Sequence, residues 1–124
     1  MHELFLTTKA HFDAAHSLEG YDGKCANVHG HRWTVEVTIG PLDPKKLDDC
    51  GISIDFKEIK DVLDIFVGKL DHRYLNDIIP KPPSAEFLAI ACIKFMAQRL
   101  AGTPVSEVKV YESPESCAIV RAAS

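Results

Sequence analysis

A thiol stands four residues ahead of a His-Gly-His in Cys25-Ala26-Asn27-Val28-His29-Gly30-His31, and another histidine, His16, lies just upstream. Side chains alternate across an extended chain, so histidines two apart put both rings on one face. Gly30 between them leaves room for close approach to an ion. Three neutral imidazoles are the donor set of a catalytic Zn2+, holding the ion while one position stays open to water or substrate. Two rivals stand beside this reading. A single histidine on an apolar face is usually a core residue with a satisfied ring, but three converging by strand period beside a cysteine point to metal. Alternatively Cys25 is a fourth ligand and closes a structural site of one thiolate and three imidazoles; spacing alone does not separate the open site from the closed one.

The same period defines the elements that carry these groups. Leu4, Leu6, Thr8, Ala10, Phe12, Ala14 and His16 share one face of a strand predicted at about 3 to 15. A second strand is predicted at roughly 31 to 40, with His29, His31, Trp33, Val35, Val37 and Ile39 on one face and Arg32, Thr34, Glu36 and Thr38 on the other. Antiparallel pairing of the two brings His16 toward His29 and His31. Between them, Ser17 to Asn27 holds Gly20, Asp22 and Gly23 and reads as a loop. Gly40-Pro41 ends the second strand, and Gly51 to Ile54 is expected as a minor strand.

Asp55 is placed to cap a helix with Glu58 three residues on, and Phe56, Ile59, Leu63, Phe66, Val67 and Leu70 recur at helical spacing. Asp71 to Pro83 follows as an irregular segment, because Pro80, Pro82 and Pro83 prevent a helix. It carries Asp71 and His72, and irregular segments of this kind often carry function. Ser84 caps a second helix of about 85 to 101, with Phe87, Leu88, Ala91, Cys92 and Phe95 as its buried stripe. Cys92 reads as a core thiol and Glu86 as a favourable charge in the first helical turn, with a substrate contact as its second reading. Val108, Val110 and Glu112 share a strand face before a turn at 113 to 116 and a last strand to Arg121. A carboxylate such as Glu112 at the end of an apolar strand face calls for a partner. His11 faces away from His16, His2 is terminal, and Cys50 and Cys117 lack metal-ligand spacing.

This order predicts an α+β fold, an antiparallel sheet with two helices on one face. The 124 residues, 46% hydrophobic, make one domain spanning 1–124. A net charge of −4 gives no general attraction to nucleic acid or an anionic membrane, so an anionic substrate must be met locally. The chain starts with polar and charged residues, and its four cysteines are read as thiols in a reducing cytoplasm. No apolar run reaches membrane-spanning length.

Four segments in register, Phe12-Asp-Ala-Ala-His16, Gly23-Lys-Cys25-Ala-Asn-Val-His29-Gly-His31, Leu70-Asp71-His72-Arg73-Tyr74-Leu75-Asn76 and Val110-Tyr111-Glu112-Ser113, resemble the 6-pyruvoyl- and 6-carboxy-tetrahydropterin synthase family. The resemblance covers almost the whole chain. It implies the tunnelling fold, in which subunit sheets join into a barrel and trimers pair into hexamers with active sites between subunits. It also implies 7,8-dihydroneopterin triphosphate as substrate, Zn2+ on His16, His29 and His31, Cys25 as a thiolate base, His72 backed by Asp71 as second proton carrier, and Glu112 as the pterin-binding carboxylate. One carboxylate's two oxygens suit the amino group and ring N–H of a pterin. The short Cys-x-x-x-His-Gly-His spacing looks more like the carboxy type, which releases acetaldehyde and triphosphate on the route to queuosine, than the pyruvoyl type, which releases triphosphate only. A zinc-stapled interaction domain without enzymatic activity is the alternative of another class.

Overall fold

The computed structural model describes every residue except Met1, Tyr21, Asp22, Lys24, Cys25 and Ser124. Elements follow in the order β1 (Leu4–His16), β2 (His29–Leu42), α1 (Phe56–Gly68), α2 (Leu75–Ile78), α3 (Ala85–Arg99), β3 (Val105–Ser113) and β4 (Ser116–Arg121). The strands form one antiparallel sheet in the order β1-β2-β3-β4. The expected α+β architecture is present, with α1 packed on β1 and α3 on β3 and β4.

Alternation decides which side of the sheet is the core. Ala10, Phe12 and Ala14 of β1, Trp33, Val35, Val37 and Ile39 of β2, and Val108 and Val110 of β3 are buried on the helix side. Their neighbours one residue away, such as His11 and Thr34, lie on the other side, where His11 Nδ1 is 2.9 Å from Thr34 Oγ1. Helix α1 supplies Ile59, Leu63, Phe66 and Val67; α3 supplies Ala85, Leu88, Ala89, Cys92 and Met96. Full burial of a large aliphatic side chain contributes about 1.5–3 kcal/mol, so these stripes hold the helices on the sheet. Burial pushes the Cys92 thiol up to about 12, which makes it the inert core thiol expected.

Several boundaries differ from expectation. β2 begins two residues early, because Ala14, Ala15 and His16 pair with His31, Gly30 and His29 and extend the ladder through the histidines. Residues 51–54 form no strand: Asp48 Oδ1 accepts from Cys50 N at 2.8 Å and Ile52 N at 2.9 Å, and Asp48 N donates to Ile52 O, so a side chain organises a turn there. Asp55 caps α1 as read, accepting from Lys57 N. Phe56, however, is exposed at the first position of the helix. The buried stripe of α3 runs through Leu88, Cys92 and Met96 rather than through Phe87, Ala91 and Phe95, which flank it. The segment after Asp71 contains the single turn α2, which ends before Pro80.

Trp33 ties the strands to the histidine end. It is fully buried, stacks parallel to Phe12 at 5.7 Å, and donates Nε1–H to Ala14 O at 3.2 Å, two residues before His16. Trp33→Ala leaves a cavity and removes the indole donor to Ala14 O, and should destabilise the protein by about 3–5 kcal/mol in urea unfolding. A loss under about 1 kcal/mol would contradict this packing role.

Candidate metal centre

The last rung of the β1–β2 ladder pairs His16 with His29, and His31 follows opposite Ala14 on the same face. The rings meet edge to face, with centroids 4.5 Å apart for His16 and His29, 4.7 Å for His29 and His31, and 5.1 Å for His16 and His31. Backbone carbonyls fix two of them. Pro83 O lies 2.7 Å from His16 Nδ1 and Asn27 O lies 2.6 Å from His29 Nδ1. A carbonyl only accepts, so in each neutral ring Nδ1 carries the proton and Nε2 keeps its lone pair.

Two ring nitrogens lack partners. Nε2 of His16 and Nε2 of His31 are buried and form no hydrogen bond among the described residues. An orphaned buried polar atom is costly in a native protein and calls for a missing partner. Glu112 completes the group: its Oε1 is 3.0 Å from His31 Nε2 and 3.9 Å from His16 Nε2, without hydrogen-bond geometry toward either ring. Donor atoms of His16, His29, His31 and Glu112 all lie within 4.8 Å of one another, the arrangement of ligands aimed at one ion. Imidazole nitrogens with a carboxylate suit Zn2+, and the carbonyls on Nδ1 are the outer contacts that orient metal-binding histidines.

Charge supports the same conclusion. Burial lowers the His31 pKa, opposed by Glu112 and reinforced by His16 and His29. The ring therefore stays neutral to lower pH than a free histidine, as a metal ligand must.

Glu112 is the residue whose protein neighbours the sequence leaves unassigned. β2 and β3 pair Thr34 with Tyr111 and Val35 with Val110, which brings the residue after Tyr111 to the histidine end of β2. That register, combined with the shared face of Val108, Val110 and Glu112, is the signal that could have found it. Glu112 also lines a depression of about 490 Å3 with Glu86, Ser113, Ser116 and Cys117. Glu86, read from sequence chiefly as a helix-start charge and secondly as a substrate contact, lines that depression from the first turn of α3.

Asp71 meets both His72 and a backbone group. Asp71 Oδ2 is 2.9 Å from His72 Nδ1, while Oδ1 accepts from Asp13 N at 2.9 Å. That backbone donor first, and His72 second, hold the Asp71 carboxyl below the usual carboxylate range. His72 has φ 59°, a left-handed conformation uncommon outside glycine, and its N–H donates to Asp13 O at 2.6 Å. Its side chain is 79% exposed, open to a substrate. His72 and His31 both line one depression of about 590 Å3. Cys25 lies outside the described residues.

The family described as 6-pyruvoyl tetrahydropterin synthase matches residues 5–123. A protein of Archaeoglobus fulgidus, provisionally named a 6-carboxy-5,6,7,8-tetrahydropterin synthase, is 33% identical over 119 residues, 96% of each chain. The 6-carboxy-5,6,7,8-tetrahydropterin synthase of Synechocystis sp. is 37% identical over 111 residues, covering 86% of this chain and 84% of the relative. The 6-pyruvoyl tetrahydropterin synthase structure of Caenorhabditis elegans superposes with a TM-score of 0.80 at 22% identity, over 99% of this chain and 100% of that one, and so shares the fold. Fold and relatives together define the class, a pterin synthase. The chain belongs to the 6-pyruvoyl tetrahydropterin synthase family.

If these nitrogens hold zinc, replacing His16 and His31 together by alanine should abolish stoichiometric zinc binding, read by atomic absorption on the folded variant. One full zinc per chain in that variant would contradict the assignment.

Proposed function

We propose that this protein is a zinc-dependent 6-carboxy-5,6,7,8-tetrahydropterin synthase, converting 7,8-dihydroneopterin triphosphate to 6-carboxytetrahydropterin with release of acetaldehyde and triphosphate. The observation that carries the reading is the pair of buried, unpartnered imidazole nitrogens beside an exposed Asp–His pair, in a chain 37% identical to a synthase of that name.

His16, His29 and His31 would hold Zn2+, which supplies a Lewis acid that acidifies the hydroxyls of the substrate side chain. Around it the protein's own groups divide the proton work. Asp71 orients the ring of His72 through Nδ1, leaving Nε2 to exchange a proton with the substrate. Cys25 would be the base, and His72 the second proton carrier. Glu112 offers its carboxylate to the amino group and ring N–H of the pterin, with the ring lying in the depression that Glu112 shares with Glu86. The carboxylate that approaches His31 in the free protein thereby has a second use at the pterin.

The working enzyme is a cytoplasmic homo-oligomer, a hexamer of paired trimers. In support, β4 is an outer strand whose second edge could pair with another subunit. Its product would feed queuosine synthesis.

Incubating the zinc-loaded protein with 7,8-dihydroneopterin triphosphate, with mass spectrometry of the pterin, should give the 6-carboxy product and free acetaldehyde. A 6-pyruvoyl product with triphosphate alone would move the chain to the pyruvoyl branch. Unreacted substrate with tight pterin binding would leave a binding module or a different pterin substrate, and a zinc-stapled interaction domain would bind no pterin and hold its metal through Cys25.

A further inference from the structure

β1 is an outer strand, so β2 pairs only one of its edges and the other presents free backbone groups. At the metal end that second edge is covered by residues 71–76, which run alongside β1 as a short parallel partner. Asp71 Oδ1 takes Asp13 N, and His72 N donates to Asp13 O. Ala15 N donates to Arg73 O at 3.1 Å, and Ala15 and Tyr74 form a parallel bridge. At the next rung the covering chain has turned into α2, and its backbone no longer faces the strand.

The carboxamide of Asn76 continues the ladder there. Its Oδ1 accepts from Ser17 N at 2.9 Å and its Nδ2 donates to Ser17 O at 2.8 Å. A primary amide offers the same donor and acceptor as a peptide group, so this side chain replaces a strand residue. Tyr74 adds a hydroxyl 2.8 Å from Ser17 Oγ. Ser17 is 3% exposed, so its backbone groups would be costly to leave unpaired.

His16 lies between the two rungs so held. Its pairing with His29 is the last of the β1–β2 ladder, after which the chain leaves the sheet. The position of its buried ring therefore depends on whether Ser17 stays in line. We propose that Asn76 is a positioning residue that stands in for a strand at Ser17 and thereby holds the His16 ligand and the Asp71–His72 pair in a single register. Both catalytic halves then hang on one strand edge, and a slip at Ser17 moves one relative to the other. The metal readout below rests on the zinc reading; the exchange readout does not.

Amide hydrogen exchange on the metal-free protein, zinc affinity by chelator competition, and kcat with KM on the zinc-saturated protein test this in Asn76→Ala, Asn76→Asp and Tyr74→Phe. Asn76→Ala should speed exchange of the Ser17 amide at least about tenfold and weaken zinc about 10–100-fold, the range for contacts that orient metal ligands. It should also lower kcat while KM changes little, since the lost interaction is one of alignment. Asn76→Asp is nearly isosteric yet sets an oxygen against the Ser17 carbonyl, so it should lose at least as much, whereas a packing role would leave it near wild type. Tyr74→Phe should show a smaller loss in the same direction. A lower Tm in Asn76→Ala with unchanged Ser17 exchange, zinc affinity and kcat would overturn the proposal. If wild-type protein binds no zinc, the zinc reading fails, and Ser17 exchange alone decides: acceleration supports the clamp and an unchanged rate refutes it.

Discussion

The arrangement depends on one constraint: a fully buried imidazole whose Nε2 has no hydrogen-bond partner among the described residues. Removing a polar nitrogen from water without a replacement costs several tenths to several kcal/mol, and the fold spends further contacts to keep it so. Pro83 O takes the other nitrogen of His16, which forces the lone pair inward. His29 repeats the device with Asn27 O, and Glu112 brings negative charge to the same point. A core histidine would be turned to satisfy its ring. Here the surroundings hold the donor atoms toward one another, the electrostatic arrangement that a cation relieves.

The sheet, the helices and the proton-carrying segment can be understood from that centre. The β1–β2 ladder has to reach His16 and His29, because a shift of one residue would turn every ligand to the wrong face. Trp33 and Phe12 seal the apolar floor under the rings, and Trp33 lies edge-on to both His16 and His31. The chain between α1 and α3 then serves two purposes. It lends backbone and side-chain partners to the open edge of β1, and it presents His72 in a left-handed conformation that Asp13 secures from both sides.

Much of this was legible in the amino-acid sequence where a single periodicity governs. Alternation from Leu4 to His16 and from His29 to Ile39 predicts both strands and the shared face of the histidines, and Asp55 and Ser84 mark the helix starts they in fact cap. Legibility failed where a side chain does the work of backbone. Asp48 gathers the amides of Cys50 and Ile52, so an apolar run at 51–54 is a turn; Asn76 completes a ladder, which no local pattern announces. Glu112 illustrates the intermediate case. Its strand face was readable, but its meeting with His31 depends on a register between strands far apart in the chain. The carbonyls of Pro83 and Asn27 carry no sequence signal, since every residue has one.

X-ray absorption at the zinc edge of the zinc-loaded, substrate-free protein reads the ligand atoms themselves and so separates an open site from a closed one. An open site gives three imidazole nitrogens at about 2.0–2.1 Å with the remaining scattering from oxygen. A sulfur shell at about 2.3 Å would contradict it, since Cys25 would then close the site and the centre would be structural.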